Sequence, residues 1–233
     1  MRRKITNKHN WETIYKYEKR FLKQKPFPPL PRTYENKMQP ILHTGYLMFI
    51  RSKFLFLGMI KSLKEKNEYT FYSLAKSYWE NIAAFGYYYL RVSDFLTAGQ
   101  KEEAFKLARQ MGLGGRKFPT EEIVKKTGRK IEEYTLPNIY TMMDKVDKDM
   151  RKRSGNEGSI LREIYDEQIA EGGHTTYTGL AIARKWSNDK RVQFADLKKG
   201  WVKEDKSSLL NLAAMSSLIF FIYWDKFEEL RDK

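Results

Sequence analysis

Lys76 and Glu80 stand four residues apart in an aromatic-rich stretch that reads as helix, so they share one face and come within pairing distance. Far downstream, His174 follows Gly172-Gly173 and is followed in turn by Thr175, Thr176 and Tyr177. A carboxylate beside an imidazole, with an ammonium and a phenol at hand, can take a proton from one atom and return it to another. Lys76, Glu80, His174 and Tyr177 therefore form the candidate catalytic set. The same residues would serve as a polar network that fixes how helices register against each other. Both readings stay open at the level of sequence.

Few other signals compete. The histidines are His9, His43 and His174, and there is no cysteine. No HExxH and no His/Asp cluster at ligand spacing occurs, so no metal and no cofactor is expected. GxxxxGK[ST] and GxSxG are also absent, which sets aside the familiar nucleotide-hydrolase and serine-hydrolase readings. Gly112-Leu113-Gly114-Gly115-Arg116-Lys117 could let backbone amides approach an anion, with Arg116 and Lys117 adding charge. A plain reversal between two helices uses the same glycines.

The elements that must position these groups are helical. Residues 1–10 read as a flexible basic arm, followed by a helix from Trp11 to about Gln24 with Trp11, Ile14, Tyr15, Phe21 and Leu22 as its apolar stripe. Prolines 26, 28, 29 and 31 forbid helix and predict an extended linker. They divide the chain into an appendage, 1–31, and a helical bundle domain, 32–233, and removal of the appendage is expected to leave the bundle folded. Two long helices, 38–65 and 68–98, follow as an antiparallel hairpin joined at Lys66-Asn67. On the second, Tyr72, Ala75, Trp79, Ile82, Gly86 and Tyr89 mark a core stripe, while Tyr87 and Tyr88 are candidates for the surface. Further helices are expected at 100–111 (ending at Gly112), near Thr120, from Thr135-Leu136-Pro137 to about Met150, at 159–171, at 177–187 and at 203–230. Arg191 to Leu197 is the one extended piece. The fold class is all-α, a multi-helix bundle with long antiparallel helices and a basic N-terminal appendage.

Charge points to a partner. The net charge is +15. Residues 1–40 hold 11 Lys and Arg against 3 Asp and Glu, and residues 101–130 hold 9 against 4, whereas from 131 onward the balance is 17 against 18. The excess lies in the N-terminal half, which favours a polyanionic partner, RNA or DNA or an anionic membrane surface, over an even solubilising coat. Arg2, Arg3, Lys4, Lys8, Arg116 and Lys117 are the candidate nucleic-acid contacts. An acidic protein partner is the alternative. The opening Met1-Arg2-Arg3-Lys4 carries no apolar run, so no signal peptide is expected. With no cysteine to staple a secreted fold, the expected location is cytoplasmic. The uncharged stretch Ser207–Trp224 is at the edge of membrane-spanning length but contains five Ser and Asn residues, and a buried helix is expected rather than a span.

Residues 68 to 185 resemble a family of bacterial helical proteins in which a basic residue, three intervening positions and Glu lie on a long aromatic helix. A Tyr-bearing helix ending in His follows. Lys76 and Glu80 match the first part, Tyr165 and His174 the second. Lysine stands at 76 where arginine is more usual, which puts a bidentate role for that residue in doubt. The chain is also similar to the HEPN superfamily, helical bundles that include RNases with an Arg-x(4–6)-His motif. Arg3 and His9 have that spacing but stand in the expected arm rather than on a bundle helix. This resemblance thus implies a chain that has lost the catalytic pair or uses His174 differently. Together these resemblances imply a nucleic-acid-engaging protein, with an RNase-like defence or toxin role. Two alternatives stand beside it: an interaction module whose basic arm meets an acidic protein, and a small-molecule enzyme binding phosphate at Gly112–Lys117.

Overall fold

The computed structural model describes residues 7–25, 27–28, 33–113, 121–122, 124–126, 128, 135–155, 157–170, 184–186, 192–194 and 206–231. The fold is all-α: α1 (Asn7–Lys23), α2 (Met38–Lys64), α3 (Glu68–Thr97), α4 (Lys101–Leu113), α5 (Ile139–Ser154), α6 (Ile160–Ile164) running into a π-helical segment Tyr165–Ala170, and α7 (Lys206–Glu228). One short ladder interrupts it. Arg184–Trp186 (β1) pairs antiparallel with Val192–Phe194 (β2), Arg184 opposite Phe194. The helix expected at 177–187 is thus wrong at 184–186. Trp186, Val192 and Phe194 are residue types that suit a strand.

Helix ends follow local chemistry. Asn36 Oδ1 accepts from the backbone N–H of Met38 (2.9 Å) and Gln39 (3.1 Å), satisfying first-turn donors of α2, whose third residue is Pro40. The α2–α3 hairpin reverses at Lys66, where φ is +59°, and Asn67 Oδ1 accepts from Thr70 N–H at 3.0 Å. α5 starts at Ile139, two residues past Pro137, because Asn138 is its cap and accepts from Tyr140 N–H. It stops at Gly155, whose positive φ of 69° lets its N–H reach Arg151 O. Gly112 lies within α4 rather than ending it; a Cβ there would meet Thr44 Oγ1 at 3.3 Å.

Contacts divide the chain into two compact units, each assembled from three stretches: Met1–Lys25, Arg51–Ile82 and Ser159–Phe221 in the first, and Pro26–Ile50, Ala83–Gly158 and Ile222–Lys233 in the second. A boundary does fall at the prolines, but α1 is no appendage. Ile14, Tyr17 and Phe21 are buried in the first unit. Phe21 packs against Phe56, Phe220 and Phe221 at ring-centroid distances of 5.2, 5.4 and 4.7 Å, and Tyr17 stacks on Phe221 at 5.0 Å. The helix starts four residues earlier than expected, at Asn7, and Asn10 is buried. Packing rather than propensity carries that extra turn. The apolar stripe is also rotated. Ile14, Tyr17 and Phe21 face the core, while Tyr15 and Leu22 are exposed.

In the second unit, Trp224 lies against Phe49 (4.2 Å) and Phe85 (5.9 Å), and Phe27 of the proline segment stacks on Tyr46 (4.3 Å). Tyr88, expected at the surface, is buried. Its hydroxyl donates to Ile41 O at 2.7 Å, which makes burial affordable for the phenol. α7 is the one described helix long and apolar enough to cross a membrane, and 67% of its 18-residue apolar window is buried inside the protein. Buried Ser216 and Ser217 return their hydroxyls to Ala213 O and Ala214 O.

Tyr78, Tyr88 and Tyr223 have their phenols fully taken out of water. Burial raises all three above the usual phenol range; at Tyr223 the Asp149 carboxylate adds to it, and at Tyr88 the Thr44 hydroxyl works against it. Because the folded values exceed the unfolded one, this stability is intact below pH 10 and is lost as pH climbs beyond it. Urea midpoints measured from pH 8 to 11.5 should therefore fall above pH 10, each phenol steepening the loss by up to about 1.4 kcal/mol per pH unit. Tyr78→Phe and Tyr88→Phe should flatten that fall.

Candidate functional site

α3 carries the two described members of the candidate catalytic set, and both Lys76 and Glu80 are half-buried in the first unit. Glu80 Oε1 accepts a hydrogen bond of 2.7 Å from the Tyr165 hydroxyl. Tyr165 is buried, at 4% exposure, and is the residue at which α6 becomes π-helical. The arrangement has a local cause. Leu161, Tyr165 and Ile169 are all buried, a spacing of four that puts them on the inner face. Asp166, Glu167 and Gln168 stay exposed. A π-turn holds one more residue than an α-turn, and such turns recur where a side chain is re-aimed for function.

Neighbouring residues of α3 add polarity. Asn81 Nδ2 donates to Ser52 Oγ at 2.6 Å, both groups being buried. Tyr78 Oη and Trp79 Nε1 are buried with no hydrogen-bond partner among the described residues. From Lys76 to Asn81 the helix therefore carries an ammonium, a phenol, an indole, a carboxylate and an amide within two turns. A carboxylate held by one phenol keeps acceptor sites for another proton donor, which is what a base needs.

The structure thus brings Glu80 and Tyr165 together across 85 positions of sequence. His174 and Tyr177 lie outside the described residues, as do Arg2, Arg3, Lys4, Arg116 and Lys117. Lys8 is exposed on α1. The reading of the sequence missed the Ser52–Asn81 pair, because one buried Ser and one Asn on separate helices leave no spacing signal. It also missed what α1 exposes. Trp11 and Tyr15 stack at 5.3 Å with Lys64 Nζ 5.6 Å from the Tyr15 ring, and the four-residue step from Trp11 to Tyr15 was the available clue. Comparison of the chain with protein-family models, curated proteins and solved structures finds no match.

Proposed function

We propose that this protein engages nucleic acid through the basic surface of its N-terminal half and acts on RNA as an RNase-like defence or toxin component. The observation that carries the reading is the Tyr165–Glu80 hydrogen bond, which joins the two sequence segments matched by the resemblance. In this mechanism Glu80 takes the proton of a ribose 2′-hydroxyl, and the resulting O2′ attacks the adjacent phosphorus. The bond from phosphorus to the 5′-oxygen breaks, and that oxygen leaves with a proton supplied by His174. Lys76 offsets the charge that develops on the phosphoryl oxygens. Tyr165 holds the Glu80 carboxylate in position.

The test uses Glu80→Gln, which keeps an oxygen for Tyr165 to bond while removing the base. Cleavage of a labelled single-stranded RNA should fall by a hundredfold or more, with the melting temperature nearly unchanged. Glu80→Ala should in addition destabilise by about 1–3 kcal/mol, since it removes the carboxylate that accepts the buried Tyr165 hydroxyl's hydrogen bond. His174→Asn should match Glu80→Gln in activity. Full activity in Glu80→Gln would show that the contact is architecture only.

A further inference from the structure

We infer that the outward face of α1 is a stacking platform for unpaired nucleobases, built from Trp11 and Tyr15 and flanked by Lys8, Lys19, Lys23 and Lys64. The inference deepens the reading of nucleic-acid engagement and rests on it.

The face follows from how α1 packs. With Ile14, Tyr17 and Phe21 buried, the opposite side of the helix is presented outward, and Lys8, Tyr15, Lys16, Lys19, Leu22 and Lys23 are all exposed. Positions 8, 11, 15, 19 and 22 recur at three- and four-residue steps, so they form one stripe along the helix. Tyr15 is 46% exposed, far more than a ring that the core requires. Trp11 is stacked on it with 23° between the ring planes. Lys64, from the end of α2 in the same unit, reaches over Tyr15 and also pairs with Glu18 at 3.0 Å.

Base–aromatic stacking needs a π-face that duplex pairing hides, so a platform of this kind takes single strands. Its length suits them. Lys8 and Lys23 stand about 22 Å apart along the axis at the rise of an α-helix, room for a few nucleotides whose phosphates the lysines flank. The charge is complementary: residues 7–25 hold six Lys and Arg against Glu12 and Glu18. Glu18 is already neutralised by Lys64, whereas Glu12 is exposed beside the stripe and subtracts from its charge. An anionic membrane fits less well. A helix lying in a lipid interface inserts its apolar face, and in α1 that face is occupied by Phe56, Phe220 and Phe221.

The experiment measures binding of the full chain to fluorescein-labelled dT20 and U20, to a 20-base-pair duplex, and to vesicles of phosphatidylserine and phosphatidylcholine. Tyr15→Ala should weaken binding to both single strands by about tenfold, and Trp11→Ala with Tyr15→Ala by more, with duplex binding little changed. Lys8→Glu with Lys19→Glu and Lys23→Glu should flatten the salt dependence by about 0.7 per lost phosphate contact. Tyr15→Ser, at a half-exposed position, guards against misfolding of the Trp11 variant, and circular dichroism checks each protein. Undiminished single-strand binding in the folded double variant overturns the platform while leaving nucleic-acid engagement standing. Failure of the wild type to bind any of the three nucleic acids overturns both, and binding to the vesicles alone replaces them with a membrane-surface role.

Discussion

Phe21→Ala is expected to destabilise the first unit by about 3–5 kcal/mol, the range for deleting a fully buried phenylalanine. Phe21 is 0% exposed and touches Phe56 from α2 together with Phe220 and Phe221 from α7, so its removal opens a cavity that three helices would have to close. These neighbours are themselves fixed: Phe56 lies 5.8 Å from Tyr78, Phe220 lies 6.3 Å from Tyr78, and the Arg20 guanidinium sits 4.2 Å over Phe221. Relaxation into the hole is therefore limited and the cost lies toward the upper end. Urea unfolding followed by far-ultraviolet circular dichroism measures it. Leu22→Ala, one residue along but exposed, should change stability by no more than about 0.5 kcal/mol. Equal effects at 21 and 22 would mean that α1 contributes nothing to the core.

A second large effect is expected at Gly45, this time from too much atom rather than too little. A Cβ at that position would run into Cζ and Cε1 of the Phe227 ring, well inside van der Waals contact. The ring cannot swing away, because Phe85 (5.5 Å), Trp224 (5.8 Å), Tyr88 (6.2 Å) and Tyr46 (6.4 Å) enclose it. Overpacking of such a site costs about 1–3 kcal/mol, against which alanine returns about 1 kcal/mol of helix propensity. The clash should win, with Gly45→Ala melting several degrees below wild type. Gly112→Ala is the control, since its Cβ would be 3.3 Å from the Thr44 hydroxyl, and propensity should leave it neutral or slightly stabilised.

How far the sequence could be read depends on which signal each element carried. α2 and α3 were legible nearly to the residue, because long apolar periodicity bounded by Asn36, Lys66 and Asn67 leaves few other solutions. α1 was legible as a helix but not in its facing. Trp11, Tyr15 and Leu22 are as apolar as Ile14, Tyr17 and Phe21, and only tertiary contact with α7 decides between the two stripes. The division of the chain was obscured for the same reason: prolines mark a change of direction, whereas membership of a unit depends on partners far along the chain. β1 escaped because a three-residue strand gives almost no pattern, whereas β2 falls within the extended piece expected at Arg191 to Leu197. At the candidate site, Lys76–Glu80 was visible as an i, i+4 pair. Tyr165 was reached through resemblance alone, and no periodicity announces the π-turn that begins there.

The interleaving of the two units carries a consequence for how the chain is made. Phe21 must wait for Phe220, and Phe49 for Trp224, across roughly two hundred residues of synthesis, and a closure that long is slow to search. Until α7 has left the ribosome, the aromatic faces of α1, α2 and α3 have no lid. At translation speeds of about 5–20 residues per second they spend many seconds as sticky, half-built surface. The yield of this chain in cells is therefore expected to respond more to chaperone supply and elongation rate than its final stability would suggest.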